Sequence, residues 1–387
     1  MKPNHCIIFD PIPYHGGSKV ATQLAIQQVN DGTMFHVLSA SPMSWNQGQS
    51  NKVSVTTLAI PKCLAIQTQG LGYWAKQAYL MFCLTMFTAW VVITKFKKPN
   101  TLVMASGPGV DFAGYAVSKL MQIPLLQLIH GPVGKSSAAK WCLNQGHPTF
   151  YLQSAEPSLL LCMDSESLPA NFTTFTNGLD ENDYPTPHSF SSNGITSFYW
   201  AASLLKWKGL DILKHAIKLT EPSSQLTTNI CYIKPQNSNA EQSLVDATIP
   251  NTCWYHEPNN LDEIRAKSDV YISTSTNEPF GLSTLEALAA GLIVLIPRDN
   301  AFWDKKLQHN VNCIKYAVND AQSLSQTMAH IAKNPEQYQG IAKQGQEVAT
   351  QYLASNTYRD IAWTIEAKRP QEPTLGSGYE IKSGEQQ

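Results

Sequence analysis

Glu278 and Glu286 stand eight positions apart in Asn277-Glu278-Pro279-Phe280-Gly281-Leu282-Ser283-Thr284-Leu285-Glu286, and Ala287-Leu288-Ala289-Ala290-Gly291 follows. Pro279 and Gly281 do not suit a helix interior, the run Asp269 to Thr274 before them reads as a buried strand, and Ser283 to Ala290 is rich in helix formers. The segment therefore reads as strand, tight loop and helix N-terminus. The backbone N–H groups of Phe280, Gly281 and Leu282 are then left unpaired at the positive end of a helix dipole, which favours a bound phosphate. Glu286, roughly one turn into the helix, can accept from two neighbouring hydroxyls of a ribose, and Glu278 on the loop faces whatever the phosphates carry. The plainer alternative makes Glu278 a helix cap and Glu286 a solvated helical residue.

Loop, glycine, helix and trailing Ala-Ala-Gly together resemble the Glu-x7-Glu motif of retaining glycosyltransferases with the two-Rossmann-domain GT-B fold, in particular glycosyltransferase family 4 (glycosyl transferases group 1). The resemblance continues in Ala201-Ala202-Ser203-Leu204-Leu205-Lys206-Trp207-Lys208-Gly209-Leu210-Asp211. This run is similar to the family's Gly-Arg-Leu-x-x-x-Lys-Gly segment, whose Arg and Lys neutralise the donor diphosphate. Lys208 fits, and Gly209 opens the next helix. Ser203 occupies the Arg position, a departure, because serine supplies a hydrogen bond but no charge. The chain has only four arginines, at 265, 298, 359 and 369. Lys206, or Arg298 at the end of a later strand, is expected to replace the missing cation; if neither does, diphosphate affinity is weak and the domain has drifted from catalysis. Asn177-Gly178-Leu179-Asp180 matches the family's Asn-Gly-x-Asp turn, which closes the first domain and faces the cleft on the acceptor side, although Asn-Gly is also simply a common turn.

Two further groups stand in the first half. Gly16-Gly17, after the first strand and at the start of a helix through Ala21, Leu24, Ala25 and Val29, lets backbone come close to a phosphate or an acceptor group. A lone Gly-Gly turn also has a purely structural reading. Leu128-Ile129-His130-Gly131-Pro132-Val133-Gly134-Lys135-Ser136 is not a nucleotide P-loop, since Ile129 stands where the first glycine is required. His130 instead ends a parallel strand, where ligands of open α/β sheets bind. In the resembling family a histidine in such a position lies near the transferred sugar; a hydrogen-bonded structural histidine is the alternative.

The elements that carry these groups alternate. Short apolar runs at His5–Asp10, Phe35–Ala40, Val53–Leu58, Leu102–Ser106, Ile123–His130, Thr149–Gln153 and Leu159–Met163 are separated by helix-like segments. A second series runs through Ile195–Ala201, Ile230–Lys234, Cys253–His256, Val270–Thr274, Leu292–Pro297 and Cys313–Tyr316. Alternation of this kind predicts an α/β chain of parallel βαβ units. The chain divides into two Rossmann-like doubly wound domains facing a cleft, the GT-B arrangement. The first half spans 1–180, a linker rich in Asn, Asp, Pro and Ser spans 181–194, and the second half spans 195–350; the resemblance implies that the first is the acceptor domain and the second the nucleotide-sugar donor domain. In the resembling fold the final helix, here 351–369, crosses back onto the first domain, and the tail 370–387 lacks the apolar content to pack.

A chain of 387 residues, 43% of them hydrophobic, can bury two large cores, and a formal net charge of −1 suggests no nucleic acid partner. Eight cysteines without a Cys-x-x-Cys pair or a His cluster at ligand spacing indicate neither zinc nor a disulfide framework, and a cytoplasmic setting is expected. The N-terminal apolar run Cys6 to Phe9 is too short for a signal-peptide core. No Asp-x-Asp occurs, so neither a metal nor another cofactor is expected. From Gln77 to Thr94 there is no charge, and Lys95, Lys97 and Lys98 follow. A buried helix against the first sheet is the first reading of this stretch. An interfacial helix on the inner face of the cytoplasmic membrane is the second, making peripheral contact through 77–98, and a true span is the third.

The resemblance implies a transferase that moves a sugar from a nucleotide-diphospho-sugar to a hydroxyl of a saccharide or lipid-linked acceptor with retention of configuration, in bacterial surface polysaccharide biosynthesis. It implies that Glu286 binds the ribose, that Phe280–Leu282, Lys208 and Gly16-Gly17 surround the diphosphate, and that Glu278 and His130 contact the sugar. A sugar phosphorylase or epimerase could use the same cleft without a separate acceptor hydroxyl. A degenerate protein that only binds partners is the non-enzyme alternative, motivated by Ser203. A nicotinamide dehydrogenase is disfavoured, because neither half carries Gly-x-Gly-x-x-Gly after its first strand.

Overall fold

The computed structural model describes residues 3–13, 16–45, 52–190, 194–221, 225–235 and 240–366. The predicted tail 370–387, the end of the predicted final helix and part of the predicted linker lie outside these residues.

Two parallel sheets form the framework. The first has seven strands, β1 (His5–Asp10), β2 (Met34–Ser39), β3 (Val53–Thr57), β4 (Thr101–Met104), β5 (Leu125–Ile129), β6 (Thr149–Leu152) and β7 (Phe172–Phe175), in the order β3-β2-β1-β4-β5-β6-β7. The second has six, β8 (Thr196–Ser203), β9 (Leu226–Ile233), β10 (Thr252–His256), β11 (Val270–Ile272), β12 (Ile293–Arg298) and β13 (Ile314–Ala317), in the order β10-β9-β8-β11-β12-β13. All pairings between these strands are parallel. The central strands are buried along nearly their whole length, as sheets covered by helices on both faces require. In each sheet the order reverses beside the first strand of the domain, so β1/β4 and β8/β11 flank the crevice that open α/β sheets use for ligands.

One predicted strand is corrected. Leu159–Met163 belongs to the helix Glu156–Met163, and the strand beside β6 is β7, Phe172–Phe175. Leu and Met favour helix over strand, and Pro157 sits at the helix start, where its missing N–H is tolerated. The alternating Phe-Thr-Thr-Phe that forms β7 is a short strand signal lying in a polar surround.

The last helices return across the domain boundary. Leu179 bridges to Leu353, Gly178 N donates to the Tyr358 hydroxyl at 3.0 Å, and Asn30 N donates to Glu366 Oε1 at 2.7 Å. Helix Arg359–Ile365 packs on helix Gly17–Gln27 of the first domain. One apolar cluster therefore runs from Ile8 and Phe35 through Tyr358 and Tyr352 to Phe280 and Trp303, joining the two domains.

Candidate active site

Lys208 and Glu278, distant in sequence, meet at the carboxyl ends of β8 and β11. Lys208 Nζ lies 2.5 Å from Glu278 Oε2 and 4.0 Å from the centre of the Trp207 ring, and both charged side chains are only 18% exposed. The turn that holds Lys208 requires glycine next to it. Gly209 has φ +73°, and a Cβ there would sit 2.1 Å from the Thr274 carbonyl oxygen. Thr274 in turn donates through Oγ1 to the Lys208 carbonyl at 2.8 Å and accepts from Trp200 Nε1 at 2.9 Å. The approach of these two loops, and hence the ion pair, is fixed by backbone and buried side chains.

The loop after β11 runs into helix Leu282–Ala290, capped by Gly281 at φ +80°. The backbone N–H groups of Phe280, Gly281 and Leu282 find no acceptor among the described residues. The Phe280 side chain is buried among Phe302, Trp303 and Tyr352, and Trp303 Nε1 donates to the Gly281 carbonyl at 3.1 Å. An aromatic cluster thus holds three free donors in place at a helix N-terminus, where they can bind an anion. Across the crevice, a Cβ added at Gly17 would meet Leu282 Cδ1 at 3.8 Å, so the Gly16-Gly17 turn of the first domain faces the same helix end. That turn is anchored by a pair absent from the sequence reading. Lys19 Nζ is buried 2.9 Å from Asp10 Oδ2 and also donates to the Ile12 carbonyl at 2.7 Å, while Asp10 accepts from Ser39 and from Trp45.

Glu286 lies one turn deeper, partly buried. Arg265 Nη1 donates to its Oε2 at 2.8 Å, and the same guanidinium pairs with Asp262, which accepts from Thr186. Burial raises the Glu286 carboxyl above its ordinary range, against the opposing pull of Arg265. Arg265, the partner of Glu286, is the residue of this site that sequence reasoning missed. It lies in helix Leu261–Ala266, outside every motif, and only the rarity of arginine marked it.

His130 sits just past β5 with the edge of its ring against Phe175, centroids 5.3 Å apart. Neither ring nitrogen has a hydrogen-bond partner among the described residues, and burial pulls its pKa down to about 4, so the imidazole is neutral at pH 7.

The other predicted residues fall elsewhere. Lys206, half exposed, pairs with Asp211 at 3.0 Å and Glu241 at 3.5 Å. Arg298 ends β12, exposed and without a carboxylate partner among the described residues; its charge acts on His309 and Cys313. Ser203 ends β8, half-buried, and its hydroxyl bonds to nothing among the described residues. Asn177 is buried with its Oδ1 3.5 Å from the Tyr358 hydroxyl, and Asp180 accepts from the Asn182 backbone at 2.9 Å. Asn177 belongs to the seam where the C-terminal helices return, and the chains approach closely there: a Cβ at Gly178 would come within 3.0 Å of the Tyr352 carbonyl oxygen. Among the described residues no cluster of His, Cys, Asp and Glu could hold a metal ion.

Residues 192–348 match the family described as Glycosyl transferases group 1. Over 98 residues the chain is 33% identical to alpha-monoglucosyldiacylglycerol synthase of Acholeplasma laidlawii, a match spanning 25% of this chain and 24% of that protein. Among solved structures, Anabaena HepE in complex with UDP-glucose superposes with a TM-score of 0.68 at 16% identity, covering 94% of this chain and 99% of that one. A glycosyltransferase from Rickettsia africae gives 0.71 at 12% identity, with 95% and 99% covered. Sucrose-phosphate synthase from Thermosynechococcus elongatus gives 0.71 at 12%, with 94% and 98% covered. The chain has the GT-B fold, and its second half is similar to the Glycosyl transferases group 1 family.

Proposed function

We propose that the protein is a nucleotide-sugar-dependent glycosyltransferase that retains anomeric configuration. The observation that carries this reading is the convergence of Lys208, Glu278 and the free Phe280–Leu282 amides at one helix N-terminus, with Glu286 a turn away and Gly16-Gly17 opposite. The amides and Lys208 take the donor diphosphate, Glu286 takes the ribose hydroxyls, and Glu278 and His130 bind the sugar. The bond between the anomeric carbon and the diphosphate breaks and the acceptor oxygen bonds to that carbon. The hydroxyl proton passes to the departing phosphate, whose growing charge is stabilised by fixed N–H dipoles and the lysine. No metal takes part in this reading. HepE, a structural neighbour, was solved with UDP-glucose, which supports a nucleotide-sugar donor. The name of the Acholeplasma relative denotes a glucosylated diacylglycerol, which supports a lipid acceptor, with bacterial envelope glycans or glycolipids as the setting.

Ser203 favours one second reading, a GT-B protein that binds without transferring, since an uncharged serine stands where the family pattern has an arginine. Release of nucleoside diphosphate from UDP- and GDP-sugars, assayed with diacylglycerol and oligosaccharide acceptors, separates the two. Acceptor-dependent release that is abolished in Lys208→Ala supports transfer. Nucleotide binding with no release from any donor supports the second reading.

A further inference from the structure

Helix Gly70–Lys95 is longer than its uncharged stretch and is buried on one face only. Leu80, Leu84, Phe87 and Val91 enter the core of the first domain, and Gln77 is tied to the loop after β4, donating to the Val110 carbonyl at 3.3 Å and accepting from Ala113 N at 3.0 Å. These contacts interlock the helix with the domain and exclude a span across a bilayer. They leave a second apolar face. Leu71, Trp74, Phe82, Met86, Trp90 and Ile93 are all exposed, Leu71 by 88% and Ile93 by 68%, and with Ala78 they recur at steps of three or four, which places them on one side of the helix. Phe96, 87% exposed, extends the face past the helix end. At about 1.5 Å per residue this stripe is some 30 Å long, far beyond the scattered apolar residues of an ordinary surface.

Charge identifies the occupant. Between residues 32 and 155 the chain has nine lysines and a single acidic residue, Asp111, which is fully buried. Lys95 and Lys98 are exposed at the helix end, Lys62 is exposed at the other end, and Lys119 is exposed on the neighbouring helix Phe112–Met121. A second copy docking on this face would oppose lysines with lysines. An anionic lipid surface matches both the apolar stripe and its basic border.

We propose that helix Gly70–Lys95 lies in the plane of a membrane, its outer face in the acyl boundary and Lys95 and Lys98 among anionic headgroups. The helix runs from the crevice to the far edge of the sheet: the Tyr73 hydroxyl donates to the Gly109 carbonyl beyond β4 at 2.7 Å, whereas Lys97 donates to the Pro3 carbonyl ahead of β1 at 3.1 Å. Its Leu71–Trp74 end therefore puts the mouth of the crevice at the lipid surface. On the glycosyltransferase reading, a lipid acceptor enters from there.

Flotation of the full chain at low salt tests this with phosphatidylcholine vesicles, with and without phosphatidylglycerol. The wild type is expected to float with the phosphatidylglycerol vesicles, and the combined Phe82→Ser, Trp90→Ser, Ile93→Ser variant to lose about tenfold or more of its bound fraction. Equal flotation of that variant, or a wild type that stays at the bottom with both vesicles, overturns the proposal. So does a wild type that does not float but sediments as a dimer, if the variant is a monomer, since a second copy then covers the face. Should the triple variant not fold, Lys95→Gln with Lys98→Gln is expected to lose the preference for phosphatidylglycerol; an unchanged preference overturns the proposal. UDP binding measured on the same samples reports on the donor site separately, so failure of one reading is distinguishable from failure of the other.

Discussion

At Glu278 one carboxylate is shared between the Lys208 ammonium at 2.5 Å and, in the proposed reaction, a donor hydroxyl. Because the pair is partly buried, reversing the lysine charge sets two carboxylates against each other where the diphosphate must sit. Lys208→Glu is therefore expected to weaken nucleotide diphosphate binding by about a hundredfold or more, read by isothermal titration. Arg265 carries a second charge balance. Arg265→Met leaves Glu286 and Asp262 without their cation and is expected to cost about 3 kcal/mol in chemical denaturation, with Arg265→Lys recovering part of the loss. His130 gives a pH signature. Its pKa of about 4 lies below the unfolded value of 6.5, so the unfolded chain takes up this proton first as pH falls. The stability difference between wild type and His130→Asn is expected to shift by up to about 3 kcal/mol between pH 7 and pH 4. It must be read as a difference, because Asp111, pushed up to about 7 by burial, has the opposite sign in that window. Glu278 and Glu286 were legible in the sequence because loop, glycine and helix formers surround them. Arg265 was not, since Glu286 stands on a different helix and only the fold brings the two together.

The elements that carry these residues are held by backbone fit. At Gly209 a side chain would be forced against the Thr274 carbonyl at positive φ, so Gly209→Ala is expected to destabilise the chain by about 2 to 4 kcal/mol, measured by urea unfolding. It should also weaken nucleotide binding through the displaced Lys208. Nearly all strands of both sheets could be read from apolar runs between turn residues, and the run Leu159–Met163 shows the limit of that reading. Periodicity cannot separate a short apolar helix from a buried strand, and the pairing partner that decides, β7, is only four residues long. The helix Gly70–Lys95 shows a second limit. An uncharged sequence read as buried has one face in the core and one outside, and only the packing of Leu80, Leu84 and Val91 reveals which.

At the scale of the molecule, the two sheets meet through the returning C-terminal helices, and the site exists only where Gly17 of one domain approaches Leu282 of the other. Tyr358 stands at the centre of that seam, buried, accepting from Gly178 N at 3.0 Å. Tyr358→Phe leaves that buried N–H unpaired and is expected to cost about 1 to 3 kcal/mol in thermal unfolding followed by calorimetry. Asn177, read from the sequence as a cleft residue, lies beside this seam; the motif was visible, but what it packs against depends on a segment more than 170 residues away. The central claim, that this interdomain site holds a nucleotide through Glu286 and the free amides of its helix, is tested most directly by calorimetric titration of UDP and GDP, each with its glucose conjugate, into wild type and Glu286→Ala. Binding of one nucleotide by the wild type, weakened about tenfold or more in the variant, is the predicted result. Equal affinity in both proteins, or no binding of any of these nucleotides, would contradict it.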